Sequence, residues 1–185
     1  MSDIVIDADI MRSAGKTEHP HSSNARKVLE AIRDAGHRMV QCAPLKVEHD
    51  IHHSRYSSLW RTNMISRKQW IRWEYTQDAE LRVTLIAALP EEATGQQKAV
   101  LKDAHLLEAA AATGKRIVSR DSTARNLFRC ACPNLGHHRN IQWGDLTSVP
   151  ANVIQWVKDG CVERDDFKLC PPPLKAVKKT ARERS

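Results

Sequence analysis

The sequence predicts an α/β protein, a three-layer α/β/α sandwich with a central parallel sheet. Short runs of consecutive apolar residues, Ile4-Val5-Ile6 and Ile117-Val118 among them, read as strands covered on both faces. Longer segments with apolar residues at three- and four-residue steps lie between those runs and read as helices. Strands that alternate with helices imply crossover connections, and hence parallel pairing.

Taken in order, Ile4-Val5-Ile6 is the first strand and ends at Asp7-Ala8-Asp9. Ser22-Ser23-Asn24 supplies helix-capping residues ahead of Val28, Leu29 and Ile32, and Gly36 supplies the stop. The segment from Arg38 to Ala43 is a second strand, with Pro44 placed where the first turn of a helix tolerates a missing N–H. From about Ser57 to Ala88 the pattern reads as two helices, which sets Trp70 and Trp73 one turn apart. Pro90 and Gly95 mark a loop. The helix from about Gln97 carries Val100, Leu101, Ala104, Leu107 and Ala111, and Gly114 closes it. Arg116-Ile117-Val118-Ser119 is a third strand running towards Asp121, Ile141-Gln142-Trp143 a fourth, and Asn152 to Asp159 a last helix.

At 185 residues the chain suits one domain, expected over 1–170, followed by a basic and disordered tail over 171–185. The formal charge of +7 favours a polyanionic partner, because Lys and Arg displace counterions from phosphates. No apolar run is long enough for a membrane helix, so no membrane role is expected. Met1-Ser2-Asp3 opens without a cationic leader, and five cysteines, an odd number spread over a chain that is not small, argue against a disulfide framework. The expectation is free thiols and a cytoplasmic protein.

A parallel sheet collects functional groups at the carboxyl ends of its strands. Asp7 and Asp121 fall just past two such ends. Glu48 falls in the first turns of the helix after the second strand, with Asp50 as the alternative. Asp103 is expected near the start of the helix leading into the third strand. Carboxylates brought together resist ionising unless a cation offsets them. Mg²⁺ or Mn²⁺, which prefer hard oxygen ligands, would do so and would activate water for attack on a phosphodiester. Singly, each of these acids reads as a helix cap or turn residue; it is their joint placement that points to a metal. Asp9 reads as a turn or supporting residue. Ser119 reads equally as an orienting hydroxyl or a solvated one.

Tyr56, Trp60, Trp70, Trp73 and Tyr75 are interleaved with cations. Such rings can stack bases, but core or dimer-interface packing is the reading preferred here. Arg55, Arg61, Arg67, Lys68 and Arg120 are the candidate nucleic-acid contacts. Cys130, Cys132, His137 and His138 do not follow a standard zinc spacing, and His49, His52 and His53 read as a solvated helix face.

Ile4-Val5-Ile6-Asp7-Ala8-Asp9, Lys102-Asp103-Ala104-His105-Leu106-Leu107-Glu108-Ala109-Ala110 and Gly114-Lys115-Arg116-Ile117-Val118-Ser119-Arg120-Asp121 together resemble the acidic motifs of PIN-domain nucleases. The likeness covers about residues 3 to 130, and the span from Asp103 to Asp121 is its most specific part. It implies a PIN-like fold and Mg²⁺- or Mn²⁺-dependent cleavage, with Asp7, Glu48, Asp103 and Asp121 as metal-binding and catalytic residues. It also implies RNA as substrate, often a homodimer, and often the toxin of a toxin–antitoxin module held by an antitoxin protein. The chain, and its insert between Glu48 and Asp103, are longer than in the compact toxins. Two rival readings stand beside this one. A haloacid-dehalogenase-like phosphatase would use Asp7 as nucleophile and Asp9 as acid/base; it lacks Thr or Val at Met11 and would need Asp165-Asp166 as its further acids. A catalytically silent PIN-like module would bind RNA or protein.

Overall fold

A computed structural model of the chain describes residues 1–171; residues 172–185, nearly all of the expected basic tail, lie outside them. Strand alternation sets the layering. Ile4 and Ile6 in β1 (Asp3–Ile6), Met39 in β2 (Arg38–Gln41) and Val118 in β4 (Arg116–Ser119) enter one core. Val5, Val40 and Ile117, their neighbours on the same strands, enter the other. The period of two along a strand places these residues on opposite faces.

The first core is roofed by α1 (Ala8–Ser13), α2 (Pro20–Asp34), α4 (Arg55–Ser66) and α8 (Pro150–Lys158). The second is roofed by α3 (Ala43–Ile51), α5 (Ala79–Ala87), α6 (Thr94–Ala112) and α7 (Ser122–Cys130). Between them lies a five-stranded sheet, all parallel, in the order β3-β2-β1-β4-β5, with β3 at Trp70–Arg72 and β5 at Gln142–Asp145. The expected three-layer α/β/α architecture is the observed one.

Two glycines permit close approaches. A Cβ on Gly114 would stand 2.0 Å from the Asp3 carbonyl oxygen, and one on Gly144 would stand 2.9 Å from Val153 Cγ1, where α8 presses on β5. A side chain at Gly114 would force the backbone of β1 to move, and one at Gly144 would force the Val153 and Trp156 side chains to shift.

Three expectations are corrected. Trp70–Arg72 is an edge strand, not helix: it pairs with β2 over Met39↔Trp70, Val40↔Ile71 and Gln41↔Arg72, a tertiary contact that overrides local pattern. Trp70 and Trp73 are therefore not helical neighbours. Asp103 lies midway along α6 rather than near its start. The thiols are not all free: Cys132 and Cys170 form a disulfide that fastens the chain after β5 to the end of α7, while Cys42 and Cys161 are buried and Cys130 is exposed. With Cys132 so bonded, Cys130, His137 and His138 form no zinc site among the described residues. No helix among the described residues is long and apolar enough to cross a membrane.

Candidate functional site

The chain runs outward from β1 through β2 to β3, then crosses back to place β4 and β5 on the other side of β1. Connections after β1 and β4 consequently diverge, and a crevice opens at their carboxyl ends. Asp7 follows β1 and N-caps α1, and Asp121 follows β4 and N-caps α7. A cleft of about 130 Å³ opens there, lined by Asp7, Asp9, Arg12, Glu48, His52, Lys102, Asp103 and Asp121 with Ala8. All four expected acids and Asp9 thus border one cavity.

Asp103 reaches this edge from mid-helix because α6 overhangs the sheet. The nine residues beyond it rise roughly 14 Å, and a four-residue strand spans about 13 Å. Asp103 is therefore level with the strand ends although α6 begins far outside them. Glu48 arrives on α3, and of the two candidates there it is the one in the cleft. Asp50 is exposed, pairs with Lys46 at 2.6 Å and with Arg61, and is held down to about 2 by those hydrogen bonds.

The carboxylates are held in different ways. Ser119 is fully buried; its Oγ donates to Asp7 Oδ2 at 2.7 Å and accepts from the Asp121 N–H at 2.8 Å, so one hydroxyl ties the two strand-end acids. Of its two readings, the orienting one is realised. Asp9 takes the Arg120 N–H on both oxygens, at 3.2 and 3.1 Å, and Asp121 Oδ1 caps Ala124 N at 2.8 Å. Glu48 Oε2 stands 3.3 Å from His105 Nε2, aligned as an ion pair rather than as a hydrogen bond. His105 Nδ1 faces the Lys102 carbonyl at 2.9 Å and so carries a hydrogen; only the imidazolium then suits Glu48 at Nε2.

Charge here is under-compensated. Burial, with the neighbouring Glu48 and Asp121 charges, raises the Asp7 carboxyl against the pull of Ser119. Burial and the Asp7 charge push Asp9 up to about 7. Burial raises Asp103 to about 6, with Asp7 and Glu48 adding to it and Lys102 opposing. Glu48 alone falls: burial pushes it up, but His105 and Lys102 outweigh that. Among the described residues, no three acidic, histidine or cysteine side chains are drawn tightly enough together to grip an ion. The cleft offers an all-oxygen donor set suited to a hard divalent cation, gathered around one cavity but not closed into a coordination shell.

Sequence reasoning missed several neighbours. Arg12 sits one helical turn after Asp9, and Lys102 precedes Asp103, so both were findable from spacing. His49, expected on a solvated face, is buried; its Nε2 lies 2.8 Å from the Ile6 carbonyl, pinning α3 to the end of β1, and burial lowers it to about 4. Asp145 ends β5 as Asp7 and Asp121 follow β1 and β4, yet it serves the next turn. It accepts from Thr147 N and Ser148 Oγ, each at 2.9 Å, and stands 3.6 Å from Arg125.

The candidate nucleic-acid cations scatter. Arg67 and Lys68 precede β3, which places them at the amino edge of the sheet, opposite the cleft. Arg61 is paired to Asp50, and the Arg120 guanidinium is bonded to Ser13 Oγ. Arg55 is exposed at the start of α4, beside Ser54, which bonds the Ala14 carbonyl beyond α1. Asp165 and Asp166 sit in a 3-10 turn against the start of β5, where Arg164 N donates to Gln142, again on the edge away from Asp7. No family model, curated protein or solved structure matches the chain.

Proposed function

We propose that the chain is a metal-dependent nuclease of PIN type that hydrolyses phosphodiester bonds in RNA. Asp7, Glu48, Asp103 and Asp121 would hold Mg²⁺ or Mn²⁺. The observation that carries this reading is the single cleft in which five carboxylates meet, at the crevice where strand order reverses. The raised carboxyls of Asp7, Asp9 and Asp103 mark negative charge that the protein itself leaves uncancelled. When bound, a divalent ion supplies that positive charge and an activated water.

The chain's own residues then have separable tasks. Ser119 fixes Asp7 against Asp121, and Asp9 clamps the Arg120 amide so that the two loops keep their spacing. Lys102, exposed at the rim, and Arg12 offer cations to phosphate oxygens. RNA as substrate, a homodimer and control by an antitoxin are implied by the family resemblance and belong to the same proposal.

The phosphatase reading loses ground because Asp165 and Asp166 lie at the opposite edge of the sheet. One observation favours a silent binding module: the acids border a cavity without forming a ready grip on an ion. The deciding experiment incubates purified protein with structured RNA and with single-stranded DNA in Mg²⁺, Mn²⁺ or EDTA, beside Asp103→Asn. Metal-dependent cuts in RNA that vanish in the variant support the nuclease. Equal behaviour of both proteins moves the binding module ahead.

A further inference from the structure

A broader groove, of about 890 Å³, opens at the carboxyl end of β2 beside the edge strand β3. Its walls include Trp70, Trp73, Tyr75, Arg72 and Lys46, with Glu74 as the acid. It shares α3 with the carboxylate cleft: Lys46 borders the groove and Glu48 lines the cleft.

The aromatic residues here are not simply core. Trp60 is, buried under α2 with its indole N–H on the Leu29 carbonyl at 2.7 Å. Trp73 is half-buried: it packs on the second core and also lines the groove, with Tyr75 edge-on at 5.6 Å. Tyr75 is fixed in turn, its hydroxyl donating to Glu108 at 2.7 Å and accepting from Arg82 at 2.9 Å. Rings so anchored bind a flat partner at little entropic cost. Arg72 is exposed and joins no salt bridge among the described residues.

Another β-strand is a poor occupant for this edge. β3 is three residues long and ends on Arg72, the short and charged form that discourages strand addition. Aromatic faces beside a free guanidinium suit unpaired bases on a phosphate backbone. We propose that this groove is a stacking subsite for single-stranded RNA, in which Trp73 receives a base, Arg72 a phosphate, and the strand continues along α3 to the carboxylate cleft. This rests on the nuclease reading for the identity of the cleft, but it is testable without cleavage.

The test measures binding of a labelled oligouridine, and of the same strand in a duplex, in EDTA. Wild type, Trp73→Ala, Trp73→Phe and Arg72→Gln are compared, with thermal melting to confirm folding. The expected result is preference for the single strand, weakened about tenfold or more by Trp73→Ala and largely retained by Trp73→Phe. Arg72→Gln lowers the salt dependence by about one ion. Should Trp73→Ala fail to fold, the exposed Arg72→Gln decides. The proposal is overturned if the groove variants bind like wild type, if wild type does not bind the single strand, or if they alter only the mass seen by light scattering, which would mark a protein interface. Groove-dependent binding without metal-dependent cleavage sinks the nuclease reading and leaves the subsite standing. Cleavage with unaltered groove variants does the reverse.

Discussion

Two acidic sites in this molecule, one buried and one half-buried, are built on opposite terms. Glu108, on α6, is only 3% exposed and is surrounded by donors: the Tyr75 hydroxyl, the Asp78 N–H, and Arg82 through Nε and Nη2, all within 3.1 Å. Asp103, five residues earlier on the same helix, has only Lys102 at 3.7 Å. Asp7 and Asp9 together receive one hydroxyl and two backbone amides. A carboxylate that serves the fold is satisfied by the fold. Those in the cleft are left short, which is costly unless something from outside completes them.

The sharpest break of that comparison exchanges each acid for its amide. Asp103→Asn should abolish metal-dependent cleavage, by about 100-fold or more, since a metal site contributes several kcal/mol of transition-state stabilisation. Without metal the same variant should be no less stable than wild type, and up to about 2 kcal/mol more stable, because it removes a half-buried and poorly paired charge. Glu108→Gln should do the opposite. It strands the Arg82 guanidinium and costs about 3 kcal/mol or more, as breaking a buried pair does. Urea denaturation of both variants in EDTA reads the signs; a shared sign would mean the two sites are not differently built.

A smaller effect tests the tie between the strand ends. Ser119→Ala removes the hydroxyl that joins Asp7 to the Asp121 amide. Metal affinity should fall about tenfold, the usual effect of losing a residue that orients a ligand. Calorimetric titration with Mn²⁺ measures it. Affinity unchanged from wild type would show that Asp7 is held well enough by its backbone.

How much of this was legible follows from where each signal resides. Asp7 and Asp121 were legible because an apolar run ending in an acid states both the strand and its end. Glu48 was legible only as one of two acids; the choice was made by Asp50 turning out to Lys46 and Arg61, which no spacing encodes. Asp103 was assigned to the right edge for the wrong reason, since the overhang of α6 depends on helix length against strand length. Trp70–Arg72 was misread because three residues carry no period of their own, and their strand exists only through pairing with β2. His49 was misread because its partner, the Ile6 carbonyl, is 43 residues away.

The least effect expected comes from the opposite edge of the sheet, and it gives the comparison a control. His37 is fully buried and neutral by construction: Nε2 donates to the Val157 carbonyl at 2.8 Å, and Nδ1 accepts from Ser2 N at 3.0 Å. A proton on Nδ1 would face an N–H, and burial lowers this imidazole below its ordinary 6.5. The unfolded chain then binds more protons than the folded one between the folded value and about 6.5, so this contribution to stability is complete above that range and is lost as pH falls through it. Asp103 and Asp9 act with the reverse sign. Their folded values, about 6 and about 7, exceed the unfolded 3.8, so their contribution is complete below 3.8 and is lost as pH rises through about 6 to 7. Melting curves in EDTA across this range should therefore show His37→Asn differing most from wild type at neutral pH and converging on it in acid. The advantage of Asp103→Asn should grow from acid to neutral pH instead. Parallel curves for the two variants would remove the opposition between the satisfied edge of the sheet and the unsatisfied one.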